Sequence, residues 1–338
     1  MGTERKPPIL NGVYSPVRLL GSGNFGEVWL MKDLLLEEEV AVKLLAPHVE
    51  FNEALLEVQL MNRLRAHQRV VTVRHKELGG PLPFIVMDYE RGGSVGDRLE
   101  AGTVSMVDAL RWTREGLDGL AHAHDEGVLH RDLKPNNFLL DAEDRALVSD
   151  FGIAEDTIRG LIAAPQIYVP HAAPELLSGS QSTRASDIFA MGCTQYRLLT
   201  GDRPFADRAA IEAGVFTAVH RLNPQVPLAV SRIIEKALSP DPDDRYDDAR
   251  EMLGALTACA VTCSWSKADQ EGDLETWFLD GHDGEYILRL QEKRGGAFVV
   301  RVTRDKGSGH RKWFEERFDR RAAAERVRRK ILLALAQS

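Results

Sequence analysis

Residues 130–137 read His-Arg-Asp-Leu-Lys-Pro-Asn-Asn, and Asp150-Phe151-Gly152 begins thirteen residues after Asn137. A carboxylate, a lysine two residues on and an asparagine five residues on make a compact polar set. A second carboxylate follows in a glycine-bearing turn. Phosphoryl transfer needs that inventory: a group to orient a hydroxyl nucleophile, a cation for the migrating phosphate, and oxygen ligands for magnesium.

The upstream sequence supplies the matching parts. Tyr14–Leu20 reads as a strand running into Gly21-Ser22-Gly23-Asn24-Phe25-Gly26-Glu27-Val28-Trp29, a strand–glycine turn–strand pattern. A Gly-x-Gly-x-x-Gly run is weak evidence alone, since dinucleotide folds also use it. Here no helix follows it directly, which disfavours a dinucleotide site. Its glycines would let backbone N–H groups approach a triphosphate. Val40–Leu44 is a further strand and carries Lys43. Phe51–Leu64 then switches period: Leu56, Leu60 and Leu64 recur every four residues, which predicts an amphipathic helix. Its Glu57 and Glu53 compete as partners for Lys43, and Glu57 is preferred. Phe84–Met87 reads as a buried strand leading into a flexible link at Arg91-Gly92-Gly93.

Beyond the link the pattern is helical. Helices are expected over Ser105–Asp125, Ser186–Thr200, Ala229–Leu238 and Asp247–Ala258, with Gly127 and Gly201 closing the first two. After about residue 264 the character changes again. Thr276–Leu279, Glu285–Glu292, Ala297–Arg304 and Arg311–Phe318 read as four strands with hairpin signals between them. Asp319 would cap a helix carrying Ala323, Val327, Ile331 and Leu335.

Bulk properties narrow the class. With 43% apolar and 28% charged residues, wholesale disorder is excluded. A net charge of −8 gives no general attraction to nucleic acid or anionic membrane. Residues 264–338 nevertheless carry 16 Lys+Arg against 13 Asp+Glu, opposite in sign to the rest. Three cysteines make no disulfide framework, and Cys259 and Cys263 lack further metal ligands at suitable spacing. No apolar run is long enough to span a membrane and no signal-peptide core precedes the first strand, so a cytoplasmic protein is expected.

Taken in order, these blocks resemble the eukaryotic-type (Hanks-type) serine/threonine protein kinases, in particular the bacterial members, over roughly residues 14–260. The resemblance implies an α+β bilobal fold, a kinase domain at 13–262 with a β-rich N-lobe to about residue 90 and an α-rich C-lobe after it; the residue pattern adds a leader at 1–12 and a small β-then-α module at 263–338. It also implies roles. Gly21, Ser22, Gly23 and Gly26 would cover the ATP phosphates. Val28 and Ala41 would lie against the adenine, Met87 would be the gatekeeper, and Asp88-Tyr89-Glu90 the hinge. Lys43 would contact the α/β-phosphates and pair with Glu57. Asp132 would orient the acceptor hydroxyl and take its proton, Lys134 would stabilise the transferred group, and Asn137 and Asp150 would hold Mg2+ (or Mn2+). Asp187 would brace the catalytic loop, and Glu175 of Ala173-Pro174-Glu175 would pair with Arg245. His130 is expected to be structural, and His122 and His124 to pack within their helix. Lys134 two residues after Asp132 resembles serine/threonine rather than tyrosine kinases, implying protein substrates with Ser/Thr acceptors.

One segment departs from the family. The threonine usually found shortly before Ala-Pro-Glu is replaced by Ala164 or Tyr168, depending on alignment. Arg131 receives an activation-loop phosphate in many such kinases. Here Thr157 would be the acceptor, or no such phosphate is needed, and the second reading is preferred. The basic tail, with Trp313, Phe314 and Phe298 among its arginines, reads first as a solvated helix face. A regulatory protein docked at 263–338 is the alternative, ahead of nucleic acid. The rivals to an active protein kinase are a pseudokinase scaffold, a related small-molecule kinase such as an aminoglycoside phosphotransferase, and a module that acts chiefly by binding DNA through its tail.

Overall fold

In the computed structural model the described residues are 6–23, 26–47, 49, 51–102, 104–151, 155–156, 161–162, 169–259, 265–268, 274–281, 284–293, 295–305, 309 and 311–336. The expected bilobal α+β architecture is present, with a third α/β unit at the C-terminal end.

The first lobe is a five-stranded antiparallel sheet in the order β1-β2-β3-β5-β4. Its strands are β1 (Tyr14–Gly23), β2 (Gly26–Asp33), β3 (Glu39–Leu45), β4 (Val73–Glu77) and β5 (Phe84–Asp88). Helix α1 (Phe51–Leu64) buries Leu56, Leu60 and Leu64, as their spacing predicts. The β1–β2 hairpin closes by pairing Gly23 with Gly26. Gly26 has φ +131°, and a Cβ there would fall 1.8 Å from the Leu44 carbonyl oxygen, so only glycine fits. Leu10 is buried and donates its N–H to Tyr14 O at 3.0 Å. The end of the expected loose leader therefore belongs to the sheet's outer core.

The link to the second lobe is not slack. Gly92 N donates to Leu140 O and Leu140 N to Gly93 O, both at 2.8 Å. A Cβ on Gly92 would sit 2.6 Å from Leu140, so glycine serves close packing here rather than flexibility.

The second lobe is mainly helical: α2 (Val95–Glu100), α3 (Met106–Asp125), α4 (Pro174–Leu177), α5 (Arg184–Thr200), α6 (Arg208–Ala213), α7 (Val219–Leu222), α8 (Leu228–Ala237) and α9 (Ala249–Thr257). Between α3 and α4 lie the short strands β6 (Val128–Leu129), β7 (Phe138–Leu140), β8 (Ala146–Val148), β9 (Glu155–Asp156) and β10 (Leu161–Ile162). Ser105 caps α3 by accepting from Asp108 N. Thr183 and Ser186 cap α5 reciprocally, and Gly201 ends it at φ +82°. Helix α5 is buried along nearly its whole length and forms the floor beneath the catalytic-loop candidate.

The C-terminal unit has five antiparallel strands, one more than expected: β11 (Ser266–Ala268), β12 (Glu275–Gly281), β13 (Gly284–Glu292), β14 (Phe298–Asp305) and β15 (Arg311–Phe318). Helix α10 (Arg321–Ala336) packs on β13, β14 and β15. Trp265 ties this unit to the second lobe. Its backbone N–H donates to Gln225 Oε1 at 2.8 Å and its indole N–H to Leu332 O at 3.1 Å. The tail helix is not uniformly solvated as its arginines suggested: Arg328 is buried and ion-paired with Glu275.

Candidate active site

The β2–β3 register sets Val28 beside Lys43, and the β3–β5 register sets Ala41 beside Met87 and Val40 beside Asp88. These residues therefore share one stretch of sheet below the glycine hairpin. Lys43 is buried, and its Nζ lies 2.6 Å from Glu57 Oε1 and 3.1 Å from Asp150 Oδ1. Glu57 thus makes the contact with Lys43; the side chain of Glu53 lies outside those described. Burial depresses the lysine, but Asp150 and Glu57 outweigh it and hold the ammonium above its usual range. Burial raises Glu57 despite Lys43. For Asp150 the balance is opposite: burial opposes ionisation, and Lys43 overcomes it, so its carboxyl is lowered. Asp150 also keeps 39% of its side chain exposed against 7% for Lys43, leaving oxygen lone pairs open to a further ligand.

A second cluster lies on the loop after β6. Asp132 Oδ2 accepts from Lys134 Nζ at 2.6 Å and from Asn137 Nδ2 at 3.0 Å. Asn137 Nδ2 also donates to the Asp132 carbonyl at 2.8 Å, so its amide nitrogen is occupied and its Oδ1 is the atom left for a cation. Asp132 Oδ1 is buried and has no hydrogen-bond partner among the described residues. Such an oxygen suits an incoming hydroxyl.

The two clusters are joined by Ser149, which motif reasoning did not single out, and by His130, which was expected to be structural. Ser149 donates through N and Oγ to the Asn137 carbonyl at 2.9 and 3.0 Å. His130 Nε2 donates to Ser149 O at 2.9 Å, while its Nδ1 accepts from Asp132 N at 3.2 Å. The His130 ring also lies 4.8 Å from that of Phe151. His130 thus spans the loop after β6 and the Asp150 turn.

Asp187 on α5 holds the loop backbone from below, accepting from His130 N at 2.9 Å and Arg131 N at 2.8 Å. It also bonds His124 Nε2 at 3.0 Å, so His124 orients this carboxylate and is not simply a packing residue. Burial would raise Asp187, but His124, His130 and the Arg131 N–H hold it down and keep it ionised. The brace matters because Arg131 and Asp150 stand at φ +69° and +60°, conformations that disfavour a side chain. From the other side, His171 Nδ1 donates to Leu133 O at 2.8 Å, fixing the Leu133–Lys134 peptide. No motif match pointed to His171.

Several expectations concern residues at the edge of the site or beyond it. Glu175 and Arg245 form a bidentate pair, both contacts 2.8 Å. Asp88 is engaged by Arg74, which also meets Glu38, so the Asp88 side chain serves a surface ion pair. Glu90 is half-buried; burial, Asp88 and Asp141 push its carboxyl up to about 7. Gly152, Thr157, Ala164 and Tyr168 lie outside the described residues.

The donor set fits a metal-bound nucleoside triphosphate. A Cβ at Gly21 or Gly23 would meet nothing within 4 Å, so the hairpin borders open space. Below it stand a buried cation, a half-open carboxylate and an amide oxygen. Among the described residues no group of three or more His, Cys, Asp or Glu is placed to hold a metal. Magnesium carried on phosphate oxygens needs only one or two protein ligands, which Asn137 and Asp150 can supply.

Comparison with known proteins agrees. The family model described as the protein kinase domain matches residues 14–255. A serine/threonine-protein kinase of Corynebacterium glutamicum, PknA, is 31% identical over 277 residues, covering 76% of this chain and 58% of its own length. PrkC of Bacillus subtilis is 32% identical over 311 residues, covering 88% and 45%. PknJ of Mycobacterium tuberculosis is 33% identical over 267 residues, covering 72% and 45%. The chain spans about half the length of these relatives.

Proposed function

Because the chain belongs to the protein kinase family, we propose that it is an ATP- and magnesium-dependent protein-serine/threonine kinase that also phosphorylates itself. The observation that carries this reading is Asp132: one carboxylate oxygen held by Lys134 and Asn137, the other buried and unpartnered. A carboxylate so divided is preorganised to receive one hydroxyl.

The roles follow from position. Asp132 Oδ1 accepts the hydrogen bond of the substrate hydroxyl and takes its proton as the oxygen attacks. Lys134, already beside Asp132, balances the negative charge of the transferred phosphoryl group. Lys43, fixed by Glu57, binds the nucleotide phosphates, and Gly21, Ser22, Gly23 and Gly26 cover them. Val28, Ala41 and Met87 form the base pocket with the hinge at Asp88 and Glu90. Asn137 and Asp150 would hold magnesium, with manganese as a substitute; the ion would neutralise phosphate charge. Catalysis is then mainly positioning and electrostatics.

Serine or threonine acceptors are supported by Lys134 and by the relatives' names. The bidentate Glu175–Arg245 pair supports a peptide rather than a small-molecule acceptor, because it fixes the segment that would carry the peptide platform. A signalling role, cytoplasmic residence and a regulatory protein bound at 263–338 complete the reading. Free thiols at Cys193 and Cys259 suit that compartment, and among the described residues no helix is long and apolar enough to cross a membrane.

The test is phosphoamino-acid analysis of the full chain and a generic protein substrate after incubation with γ-labelled ATP and magnesium. Label on serine or threonine is expected. Label on tyrosine alone, or none, contradicts the reading.

A further inference from the structure

We propose that the junction of α7, α8 and α10 is a docking surface for a protein partner, which it receives through an acidic segment bearing apolar side chains. The proposal rests on the reading that residues 263–338 bind a protein, and it gives that partner a place and a chemistry.

Helix α7 packs on α8, and His220 pins the two together: its Nδ1 lies 2.8 Å from Ser231 Oγ. The loop between them carries Gln225, whose side-chain oxygen accepts from Trp265 N, while the Trp265 indole donates to Leu332 O on α10. One buried tryptophan thus seats the tail helix against the α7–α8 corner. Arg221 follows His220, Arg232 follows Ser231, and Arg329 stands one turn before Leu332. Three guanidinium groups from three helices are therefore gathered at the seam. His220 feels their joint field: after burial, Arg329, Arg221 and Arg232 pull its imidazole below the ordinary range, with Glu235 opposing them.

No carboxylate among the described residues pairs with Arg221, Arg232 or Arg329. Glu235, the carboxylate beside His220, is engaged by Ser231, whose Oγ donates to it at 2.8 Å. Arg221 and Arg232 are exposed and Arg329 is half-buried. Beside them two large apolar side chains stand in water, Leu222 at 48% exposure and Leu228 at 43%. Leu228 and Arg232, four apart on α8, share one face of that helix. The surface therefore calls for two things at once. Unpaired guanidinium groups call for carboxylates, which they bind in a fork. Exposed leucines call for apolar atoms to cover them. A nucleic-acid backbone supplies negative charge without the apolar cover. An acidic peptide segment with apolar side chains supplies both. Because Arg329 comes from the tail and the other four residues from the second lobe, such a partner reads the two units together.

The probe is a fluorescein-labelled peptide of repeated Glu-Glu-Leu units bearing a photo-cross-linker, measured on the full chain by anisotropy at low salt. Binding is expected. It should weaken by about 10-fold in the triple variant Arg221→Gln, Arg232→Gln, Arg329→Gln, and by about 10-fold when Glu-Glu-Ser units replace Glu-Glu-Leu. Cross-links are expected on residues 219–232 and 326–332. Phosphate transfer to a generic protein substrate should be unchanged in the triple variant, so a lost docking surface is distinguishable from a failed kinase reading. If Arg329→Gln unseats the tail, the exposed pair Arg221→Gln, Arg232→Gln alone should weaken binding by about 5-fold. Absence of binding, binding that the arginine replacements do not move, or equal binding of the two repeats overturns the inference. Cross-links confined to other parts of residues 263–338 overturn it too, and leave a partner at the tail standing.

Discussion

Lys43 Nζ lies 2.6 Å from Glu57 Oε1, joining strand β3 to helix α1 inside the first lobe. The two side chains are only 7% and 5% exposed, so each offsets the other's loss of water, with Asp150 also compensating Lys43. Glu57→Gln keeps an amide oxygen to accept from Lys43 but removes the charge. It is expected to remain folded and to lose about 10- to 100-fold in kcat, as the ammonium is no longer held toward the phosphates. Steady-state kinetics with a melting curve check both halves. Lys43→Met, by contrast, strands a buried carboxylate and is expected to lower stability by about 3–5 kcal/mol.

The Glu175–Arg245 pair tests the platform rather than the chemistry. Arg245 is fully buried and also donates to the carbonyls of Ser239, Pro240 and Ala185. Glu175→Ala leaves that guanidinium short of its only carboxylate among the described residues, and about 3–5 kcal/mol of stability should be lost. Removing both partners should cost less than the sum of the single changes. Denaturant midpoints of the two single variants and the double variant decide this.

His171 makes acid the weak side of the fold. Burial pulls its imidazole down to about 4, against an ordinary value of 6.5. The unfolded chain therefore binds the proton first, and stability falls as pH drops from about 6.5 toward 4. The loss attributable to this one group is about 3 kcal/mol at the bottom of the window. His171→Gln, whose amide can still donate to Leu133 O, should flatten this part of a stability-versus-pH curve. An unchanged slope contradicts the assignment.

Glu90 works in the opposite direction. Its carboxyl is pushed up to about 7 from 4.5, so the folded state holds the proton more tightly. Stability is then lost as pH rises through that window. Glu90→Gln should melt higher than wild type at pH 8 and no higher at pH 4.5. A difference that does not depend on pH would show that the carboxyl titrates normally.

The sequence made the chemistry legible better than its scaffolding. Lys43, Glu57, Asp132, Lys134, Asn137 and Asp150 sit in short motifs whose residue types have few other uses. The helix over 51–64 was readable because three leucines repeat at one period. Strands Val73–Glu77 and Ser266–Ala268 were not readable. Val73–Glu77 lies at a sheet edge with mostly exposed polar side chains, and Ser266–Ala268 has only three residues; neither has an apolar alternation. Ser149, His124 and His171 were missed for a different reason. Their partners are distant in sequence or are backbone carbonyls, and no spacing rule marks such contacts. Arg328 looked like one more surface charge until the fold turned it toward Glu275.

The central claim is that Asp132 reserves one oxygen for a substrate hydroxyl, and Asp132→Asn tests it most directly. Transfer of labelled γ-phosphate by full-length wild type and variant is measured beside magnesium–ATP binding by thermal shift. The account predicts that Asp132→Asn binds nucleotide as wild type does and transfers phosphate at least about 10²-fold more slowly. Undiminished transfer by a variant that binds nucleotide normally would contradict it.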